Sequence, residues 1–173
     1  MTSLRLRAVE PADADLLFDI ENDQSAWHNS DMTAPYSHHM LRLYAEHYNA
    51  DPFSAGELRL VAELRDENDP ASSSPVGILD FYDISALHST AWVGIYVVPG
   101  MRRKGLALEM LAMAKEYATA HLGLSHIGAR ILRENTGSMR LFEKAGYTLC
   151  GTLPGWRYAG GHQVDLHLYS ITL

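Results

Sequence analysis

The sequence predicts an α/β (α+β) fold, built as one domain with a mixed central sheet of about six to seven strands and about four flanking helices. Segments with apolar residues at every second position alternate along the chain with segments whose apolar residues recur at helical spacing. Residues 90–98 are almost continuously apolar, as expected of a strand in the middle of a sheet. The length of 173 residues fits a single domain over 1–173, and an apolar content of 47% is enough for a sizeable core.

The first quarter of the chain shows strand and helix signals in turn. Residues 4–9 alternate apolar side chains with arginines, which predicts a first strand. We expect a helix over about 11–22, because a proline such as the one that opens this segment suits the first turn of a helix. Residues 25–36 predict a loop, with room for a short helical turn. Ser37 is a good N-cap for a second helix over about 38–49.

The middle of the chain predicts two strands, a hairpin loop and a long helix. The strands are expected at 57–64 and 76–82. Residues 65–75 between them are rich in Asp, Glu, Asn, Pro and Ser, which predicts a solvated, mobile loop. Residues 106–121 carry apolar side chains on one face, which predicts a helix after the central strand.

The last third predicts a strand over 126–132 and a helix over 135–145. Apolar side chains at helical spacing and an asparagine N-cap support this helix. Two final strands are expected at 148–152 and 163–171, separated by a turn that contains Pro154, Gly155, Gly160 and Gly161.

Composition excludes several classes of protein. The net charge of -7 and the pI of about 5.6 argue against a nucleic-acid partner. No apolar run approaches the roughly 18 residues that span a bilayer, and the N-terminus lacks the apolar core of a signal peptide, so we expect no membrane association and a cytoplasmic location. The single cysteine, Cys150, excludes an intramolecular disulfide framework, and we expect a buried, inert thiol.

The nine histidines do not predict a metal site. His38 and His39 are adjacent, so they point in different directions on a helix. His162 and His167 are separated by an odd number of residues, so they face opposite sides of a strand. No Cys or His spacing resembles a zinc site, and we expect no metal.

Residues 97–107 predict a binding site for a phosphorylated ligand. Pro99 ends the central strand, because proline lacks the N–H that a sheet needs. Gly100 and Gly105 give the following turn conformational freedom. The start of the next helix offers unpaired N–H groups and the positive end of a dipole, which favour phosphate. Three consecutive cations precede that helix: Arg102, Arg103 and Lys104.

Two common phosphate-binding motifs are absent. Gly100 and Gly105 have the spacing of a Walker loop, but Leu106 and Ala107 follow where that motif needs Lys and Ser or Thr. No G-x-G-x-x-G run occurs either. The remaining pattern, Arg102-x-x-Gly105-x-Ala107, resembles the [QR]-x-x-G-x-[GA] acetyl-CoA loop of the GNAT superfamily of N-acetyltransferases.

A second segment strengthens the resemblance. Asn135, Ser138, Phe142, Gly146 and Tyr147 match the later GNAT motif N-x-x-S-x-x-[LF]-[YF]-x-x-x-G-[FY]. The two motifs occur in the family order, separated by one predicted strand. The order of segments resembles the spermidine and ribosomal-protein N-terminal acetyltransferases.

The resemblance implies a set of cofactor contacts. Backbone amides of the central strand would be exposed where that strand splays from its neighbour, and they would supply the donor for the developing oxyanion. Loop amides would hold the CoA pyrophosphate, while Asn135 and Ser138 would approach the pantetheine arm. Phe142 stands where many relatives carry a tyrosine acid. The strand and loop residues implied are Ile95, Tyr96, Val97, Val98, Arg102, Arg103, Lys104, Gly105, Leu106 and Ala107.

The catalytic acid and base have weaker signals. Phenylalanine at 142 cannot donate a proton, so the acid is Tyr147, a water, or absent. For the base, Asp80 lies between apolar residues in a predicted strand, where its carboxylate either faces the cleft or pairs structurally. Glu21 ends the first helix, where family members often build the acceptor site, although a solvated helix end is the alternative. Aromatic residues that could line an acceptor pocket or pack in the core are Trp27, Tyr36, Tyr82, Trp156 and Tyr158.

The resemblance implies direct transfer of acetyl from acetyl-CoA to a primary amine, of a small polyamine-like compound or of a protein N-terminus, in an enzyme that forms a homodimer. One alternative is a non-catalytic acyl-CoA-binding sensor or interaction module, which Phe142 keeps open. A protein without a CoA site is a further alternative, and it requires both motifs to be coincidental.

Overall fold

A computed structural model describes residues 2–30, 32–48 and 51–173, with the side chains of 70 and 71 also left out. The chain forms a seven-stranded mixed sheet with strand order β1-β2-β3-β4-β5-β7-β6. The strands are β1 (Thr2–Ala8), β2 (Glu57–Asp66), β3 (Asp69–Ser85), β4 (Thr90–Val97), β5 (His126–Leu132), β6 (Thr148–Ala159) and β7 (His162–Thr172). The sheet confirms the predicted fold class.

Six α-helices are described, and four of them are longer than one turn. They are α1 (Ala14–Glu21), α2 (Gln24–Trp27), α3 (His38–Glu46), α4 (Pro52–Ala55), α5 (Leu106–Ala120) and α6 (Thr136–Lys144). Short 3₁₀ turns over Pro11–Asp13 and Pro99–Met101 precede α1 and follow β4. None of the described helices is long and apolar enough to cross a membrane.

The helices cover the sheet on both faces. Helix α5 buries Leu106, Met110 and Leu111 in the larger apolar core, together with Val93 and Val97 of β4. The opposite face packs against α1 and α3, where a second cluster is built around these helices. Side chains alternate between faces along a strand, so even-numbered residues of β4 face α1 and α3. This second face contains the polar residues of the candidate site.

A buried ion network fixes the start of α1. Arg7 on β1 donates to both carboxylate oxygens of Asp13, at 2.7 and 2.8 Å, and to Glu63 on β2 at 2.7 Å. Burial alone would raise the pKa of Asp13, but the hydrogen bonds from Arg7 and from the Glu10 amide outweigh it and lower that pKa. The network ties α1 to the sheet and so determines where the far end of α1, at Glu21, lies.

Strands β4 and β5 are parallel and pair over three positions only. The pairs are Thr90 with His126, Ala91 with Ile127, and Trp92 with Gly128. After the last pair the strands separate, at a point we call the fork. On its other side, β4 remains paired with β3 as far as Val97. The edge of residues 93–97 that faces β5, called the free edge, has no strand partner within the described ranges.

Several predicted boundaries are wrong. Residues 65–75 are not a loop, because β2 and β3 extend through them as a two-stranded ribbon in which Arg65 pairs with Ser73. Strand β6 continues to Ala159 rather than stopping at 152, since a register shift between Leu153 and Arg157 accommodates Pro154 and Gly155. Helix α3 ends at Glu46, and the predicted end at 49 lies outside the described residues.

Cys150 is exposed, which contradicts the predicted buried thiol. It lies on β6, at one edge of the sheet, and its Sγ contacts the Leu168 carbonyl oxygen at 3.1 Å. The prediction rested on the usual burial of free cysteines, whereas an edge strand such as β6 leaves much of its length open to solvent.

Candidate active site

The free edge of β4 leads directly into the loop that the sequence singles out. After the 3₁₀ turn, Arg103 adopts a left-handed conformation with φ of 62°, and Gly105 follows with φ of 86° at the N-cap of α5. Successive residues of this kind turn backbone N–H groups toward one side. The first amides of α5 lack intrahelical partners as well. The loop therefore presents amide donors that can hold an anion such as a pyrophosphate.

The three cations of this loop play different roles. Arg102 turns back onto the strand, where its Nε donates to the Val97 carbonyl oxygen at 2.8 Å. Its guanidinium carbon lies 5.2 Å from the centre of the Tyr96 ring. Arg103 and Lys104 have exposed side chains beside the amides of the loop. Arg102 thus braces the loop, while the other two cations add positive charge at its surface.

The second sequence motif forms α6 as predicted. The Asn135 side chain caps the helix by accepting a hydrogen bond from the Ser138 amide at 3.1 Å. Phe142 is 3% exposed, and Tyr147 is 2% exposed. Their rings pack edge to face with centroids 4.9 Å apart. Burial raises the pKa of Tyr147, and its hydroxyl has no hydrogen-bond partner in the part of the chain that the structure describes.

Tyr147→Phe tests the predicted acid. A buried hydroxyl without a partner costs about 1–3 kcal/mol, so its removal is expected to leave the free energy of unfolding unchanged or to raise it. If Tyr147 protonates the leaving thiolate, kcat falls while the KM for the amine does not. Urea unfolding and steady-state kinetics on the same samples separate these effects, and an unchanged kcat would show that Tyr147 only packs in the core.

Asp80 and Glu21, the two predicted bases, lie together because both bind Arg59. The Arg59 guanidinium donates to the two carboxylate oxygens of Asp80 at 2.8 and 3.0 Å, and to Glu21 at 2.5 Å. Arg59 and Asp80 face each other across β2 and β3. Burial alone would lower the pKa of Arg59, but the two carboxylates outweigh it and raise that pKa, so the guanidinium stays charged.

Two tyrosines of the α3 region complete the surroundings of Arg59. The Tyr44 ring centre lies 5.7 Å from the guanidinium carbon, within the range of a cation–π contact. The Tyr48 hydroxyl donates to the Arg59 carbonyl oxygen at 3.1 Å. Sequence reasoning missed Arg59, although a lone cation in an otherwise apolar strand segment is a signal of a buried partner.

The Asp23 carboxylate, just after α1, contacts both strand β4 and the loop before α5. The Tyr96 hydroxyl donates to Asp23 at 2.6 Å, and Arg102 Nη2 lies 3.7 Å from the same carboxylate. Hydrogen bonds from Ser25 and Tyr96 lower the pKa of Asp23, so it is an anion at neutral pH. Burial and this carboxylate raise the pKa of Tyr96 to about 12. An adjacent pocket of about 360 Å³ is lined by Leu16, Asp19, Ile20, Asp23, Tyr96, Val98 and Pro99.

Of the five aromatic residues predicted to line an acceptor pocket, Trp27 and Tyr82 lie on the side of the predicted bases. The other three, Tyr36, Trp156 and Tyr158, are exposed. Trp27 donates from its indole to the Glu21 carbonyl oxygen at 3.0 Å, and Tyr82 lies on the same face of β3 as Asp80. Tyr36 is partly exposed at the segment after α2. Trp156 and Tyr158 are 66% and 71% exposed on β6, and no described hydrogen bond or ring contact joins them to Arg59 or its carboxylates.

Arg130 on β5 occupies the aromatic surface at the fork. Its guanidinium carbon lies 4.4 Å from the Trp92 ring centre and 5.5 Å from that of Tyr82, and it pairs with Asp83 at 2.8 Å. A half-buried arginine, Arg59, and an exposed one, Arg130, therefore both contact aromatic rings on this face. Among the described residues no group of three or more His, Cys, Asp or Glu side chains is arranged to hold a metal.

Comparison with known proteins agrees with this geometry. The family model described as Acetyltransferase (GNAT) domain matches residues 3–148. A Bacillus subtilis protein, Uncharacterized N-acetyltransferase YoaA, is 33% identical over 96 residues, which is 56% of this chain and 54% of that protein. The alignment thus spans about half the length of YoaA. Spermidine N(1)-acetyltransferase of Vibrio cholerae is 25% identical over 168 residues, 95% of this chain and 90% of that protein.

Solved structures show the same fold. A crystal structure of spermidine N-acetyltransferase from Vibrio cholerae, in complex with CoA and spermine, superposes with a TM-score of 0.84. The superposition covers 98% of this chain and 95% of that one at 23% sequence identity. Similarity at this level of identity establishes the arrangement of strands and helices.

Proposed function

Because this chain belongs to the GNAT family of acetyltransferases and is an acyltransferase, we propose that it transfers the acetyl group of acetyl-CoA directly to a primary amine. The acceptor is a small polyamine-like compound or, as the second candidate, a protein N-terminus. Membership of a family of enzymes favours this proposal over a non-catalytic acyl-CoA sensor. The enzyme acts in the cytoplasm, and the exposed edge strand β6 supports a homodimer.

The observation that carries the proposal is the fork. Parallel pairing ends at Trp92 and Gly128, so the amides along the free edge of β4 are available to a ligand that lies between the strands. These amides run toward the loop of Arg103 and Gly105, whose donors suit a pyrophosphate. A long ligand with an anionic end and an amide-containing arm matches this continuous row of donors. Acetyl-CoA supplies such an arm together with the thioester that is to be cleaved.

Three chemical requirements can be met by residues near the fork. The acceptor amine has an ordinary pKa near 10.4 and must lose a proton before it attacks. Asp80 accepts that proton, directly or through water, while Arg59 fixes its orientation from the far side. The negative charge that develops on the carbonyl oxygen is stabilised by N–H groups of the free edge, which are already oriented by their strand. The thiolate leaves with the help of Tyr147 or of water.

Carboxylates on the α1 side support a cationic acceptor. Asp19 and Asp23 line the pocket beside Tyr96, and Glu21 lies between them in sequence at the end of α1. A chain with a net charge of -7 attracts a polycation more strongly than a neutral peptide end. The named relative from Vibrio cholerae acts on spermidine. These points favour the polyamine-like acceptor over the protein N-terminus.

Calorimetric titration with acetyl-CoA tests the cofactor site. Gly105 has φ of 86°, and a Cβ built there meets nothing within 4 Å, so a substitution strains the backbone without a clash. Gly105→Glu adds a negative charge beside the loop amides and is expected to weaken binding by about 100-fold, or roughly 2.7 kcal/mol. Gly105→Ala imposes the same backbone strain without the charge, and is expected to lose far less affinity.

The outcomes are distinct. Micromolar binding by the wild type, lost in Gly105→Glu and largely kept in Gly105→Ala, supports the loop as the pyrophosphate site. Failure of the folded wild type to bind acetyl-CoA would overturn the proposal. Release of CoA thiol in the presence of spermidine, or of a tripeptide with a free N-terminus, then distinguishes the two acceptors, and binding without thiol release on any amine would favour the sensor.

A further inference from the structure

Three glycines lie in the strands around the fork and along β4, and the fold explains two of them. A Cβ at Gly77 on β3 would lie 2.1 Å from the Tyr96 carbonyl oxygen, and one at Gly128 would lie 2.6 Å from Cζ3 of Trp92. Both contacts are far too short, so these positions require glycine for packing. Gly94 on β4 is different, because the nearest atom to its Cβ position is Cε1 of Tyr82 at an ordinary 3.8 Å.

Backbone conformation does not explain Gly94 either. It lies within a regular pairing of β3 and β4, and its φ is outside the left-handed region that favours glycine. Glycine in the interior of a strand weakens it, since it loses more conformational freedom than other residues and has no side chain to pack. A strand glycine without a packing reason commonly marks a place where a ligand comes close to the backbone.

The position of Gly94 identifies that ligand. Gly94 is the direct cross-strand neighbour of Asp80, two residues beyond the last pairing of β4 with β5. A Cβ at 94 would stand on the face of Asp80 and Tyr82, because side chains at paired positions lie on the same side of a sheet. Asp80 accepts from Arg59 on one side. On the other side Gly94 places no side chain, and the nearest atom to its Cβ position is Tyr82 Cε1 at 3.8 Å. We call the space above Gly94, between Asp80 and the Tyr82 ring, the Gly94 gap.

We propose that the Gly94 gap is the entrance of the acceptor amine, and that Gly94 is a specificity-determining residue. This inference rests on the proposed function. The carbon that bears the amine packs on the bare backbone of Gly94, which brings the nitrogen next to the Asp80 carboxylate and to the free edge of β4. After losing its first proton to Asp80, directly or through water, the nitrogen forms its bond to the acetyl carbon. The bond from carbon to sulfur then breaks, and the second proton of the nitrogen goes to the CoA thiolate or to water.

A methyl group at 94 would affect the two substrates differently. It would stand perpendicular to the sheet, in the space proposed for the acceptor carbon. The contacts proposed for acetyl-CoA are with N–H groups in the plane of the sheet, at the free edge, and with the loop before α5. Gly94→Ala leaves all of those N–H groups in place, so acetyl-CoA binding is expected to persist.

Gly94→Ala and Gly151→Ala form a matched pair of variants. Gly151 lies in β6, and a Cβ there would meet Cδ1 of Leu168 at 3.7 Å, a contact as ordinary as that at Gly94. With spermidine as acceptor, kcat/KM is expected to fall by about 10- to 100-fold in Gly94→Ala, the usual effect of one unaccommodated methyl group in a binding site. The Kd for acetyl-CoA by calorimetry and the melting temperature are expected to stay at or above wild-type values. Gly151→Ala is expected to change none of these quantities.

Other results would contradict the inference in identifiable ways. An unchanged kcat/KM in Gly94→Ala would show that the acceptor does not pass over this residue. A weakened Kd for acetyl-CoA with the fold intact would assign the gap to the thioester. If the wild type binds no acetyl-CoA and acetylates neither spermidine nor a tripeptide, the proposed function itself fails, which the wild-type measurements alone reveal.

Discussion

Asp80→Asn is expected to lower kcat/KM for the amine acceptor by about 100-fold or more, the usual contribution of a general base. The amide keeps the shape of the side chain but cannot take a proton. It also turns a donor toward the Arg59 guanidinium, where the wild type has two acceptors at 2.8 and 3.0 Å. Steady-state assays of CoA thiol release measure the fall in kcat/KM. The Kd for acetyl-CoA, measured by calorimetry, should not change.

Asp83→Asn is the matched control for this prediction. Asp83 lies on the same strand, three residues from Asp80, and pairs with Arg130 at the surface. Its φ is 50°, a conformation that asparagine adopts more readily than most residues. Near wild-type activity is expected. Retention of full activity by Asp80→Asn itself would exclude Asp80 as the base and direct attention to Glu21 or to a water.

Arg59→Met is expected to lower the free energy of unfolding by about 3–5 kcal/mol, as measured by urea denaturation. Methionine fills a similar volume, but it leaves Asp80 and Glu21 close together without their shared cation. The cost comes mainly from these uncompensated carboxylates rather than from lost attraction. Activity with any amine should fall as well, because Asp80 loses the group that orients it.

A combined variant separates charge from packing. If the unpaired carboxylates cause the loss, then Arg59→Met together with Asp80→Asn and Glu21→Gln should recover a large part of the stability. Arg130→Met serves as the control, since its ion pair with Asp83 is partly exposed and such pairs contribute about 1 kcal/mol or less. A triple variant as unstable as Arg59→Met would mean that the arginine stem packs in a way methionine cannot replace.

Local signals in the sequence predicted the elements around the cofactor loop well. The strand at 126–132 has the predicted bounds, and Asn135 caps α6 as expected. These segments combine apolar periodicity with a nearby cap or turn residue. Interactions between residues close in the sequence therefore determine their bounds. The ribbon of residues 65–75 was missed because its two strands extend into solvent with polar side chains on both faces. Hydrophobic periodicity carries no information about such strands.

The site itself depends on contacts that no local pattern contains. Glu21, Arg59 and Asp80 come from a helix and two strands, and only the register of β2 with β3 brings the last two face to face. No local pattern in the sequence distinguishes Gly94 from other small residues. Its ordinary 3.8 Å contact differs from the much tighter contacts at Gly77 and Gly128 only in the folded structure. The two motifs predict a cofactor loop from local patterns, whereas the grouping of Glu21 and Asp80 around Arg59 requires three-dimensional information.

The fork determines which substitutions this sequence can accept during evolution. A ligand held along the free edge is recognised by peptide N–H groups, and every amino acid except proline supplies the same donor. Ile95 and Val97 can therefore be exchanged for other residues that fill the core equally well without altering the donors offered to the ligand. Under the proposed function, cofactor recognition would therefore tolerate many substitutions. Acceptor recognition, which we propose depends on side chains and on the missing side chain at Gly94, would be redirected by single substitutions.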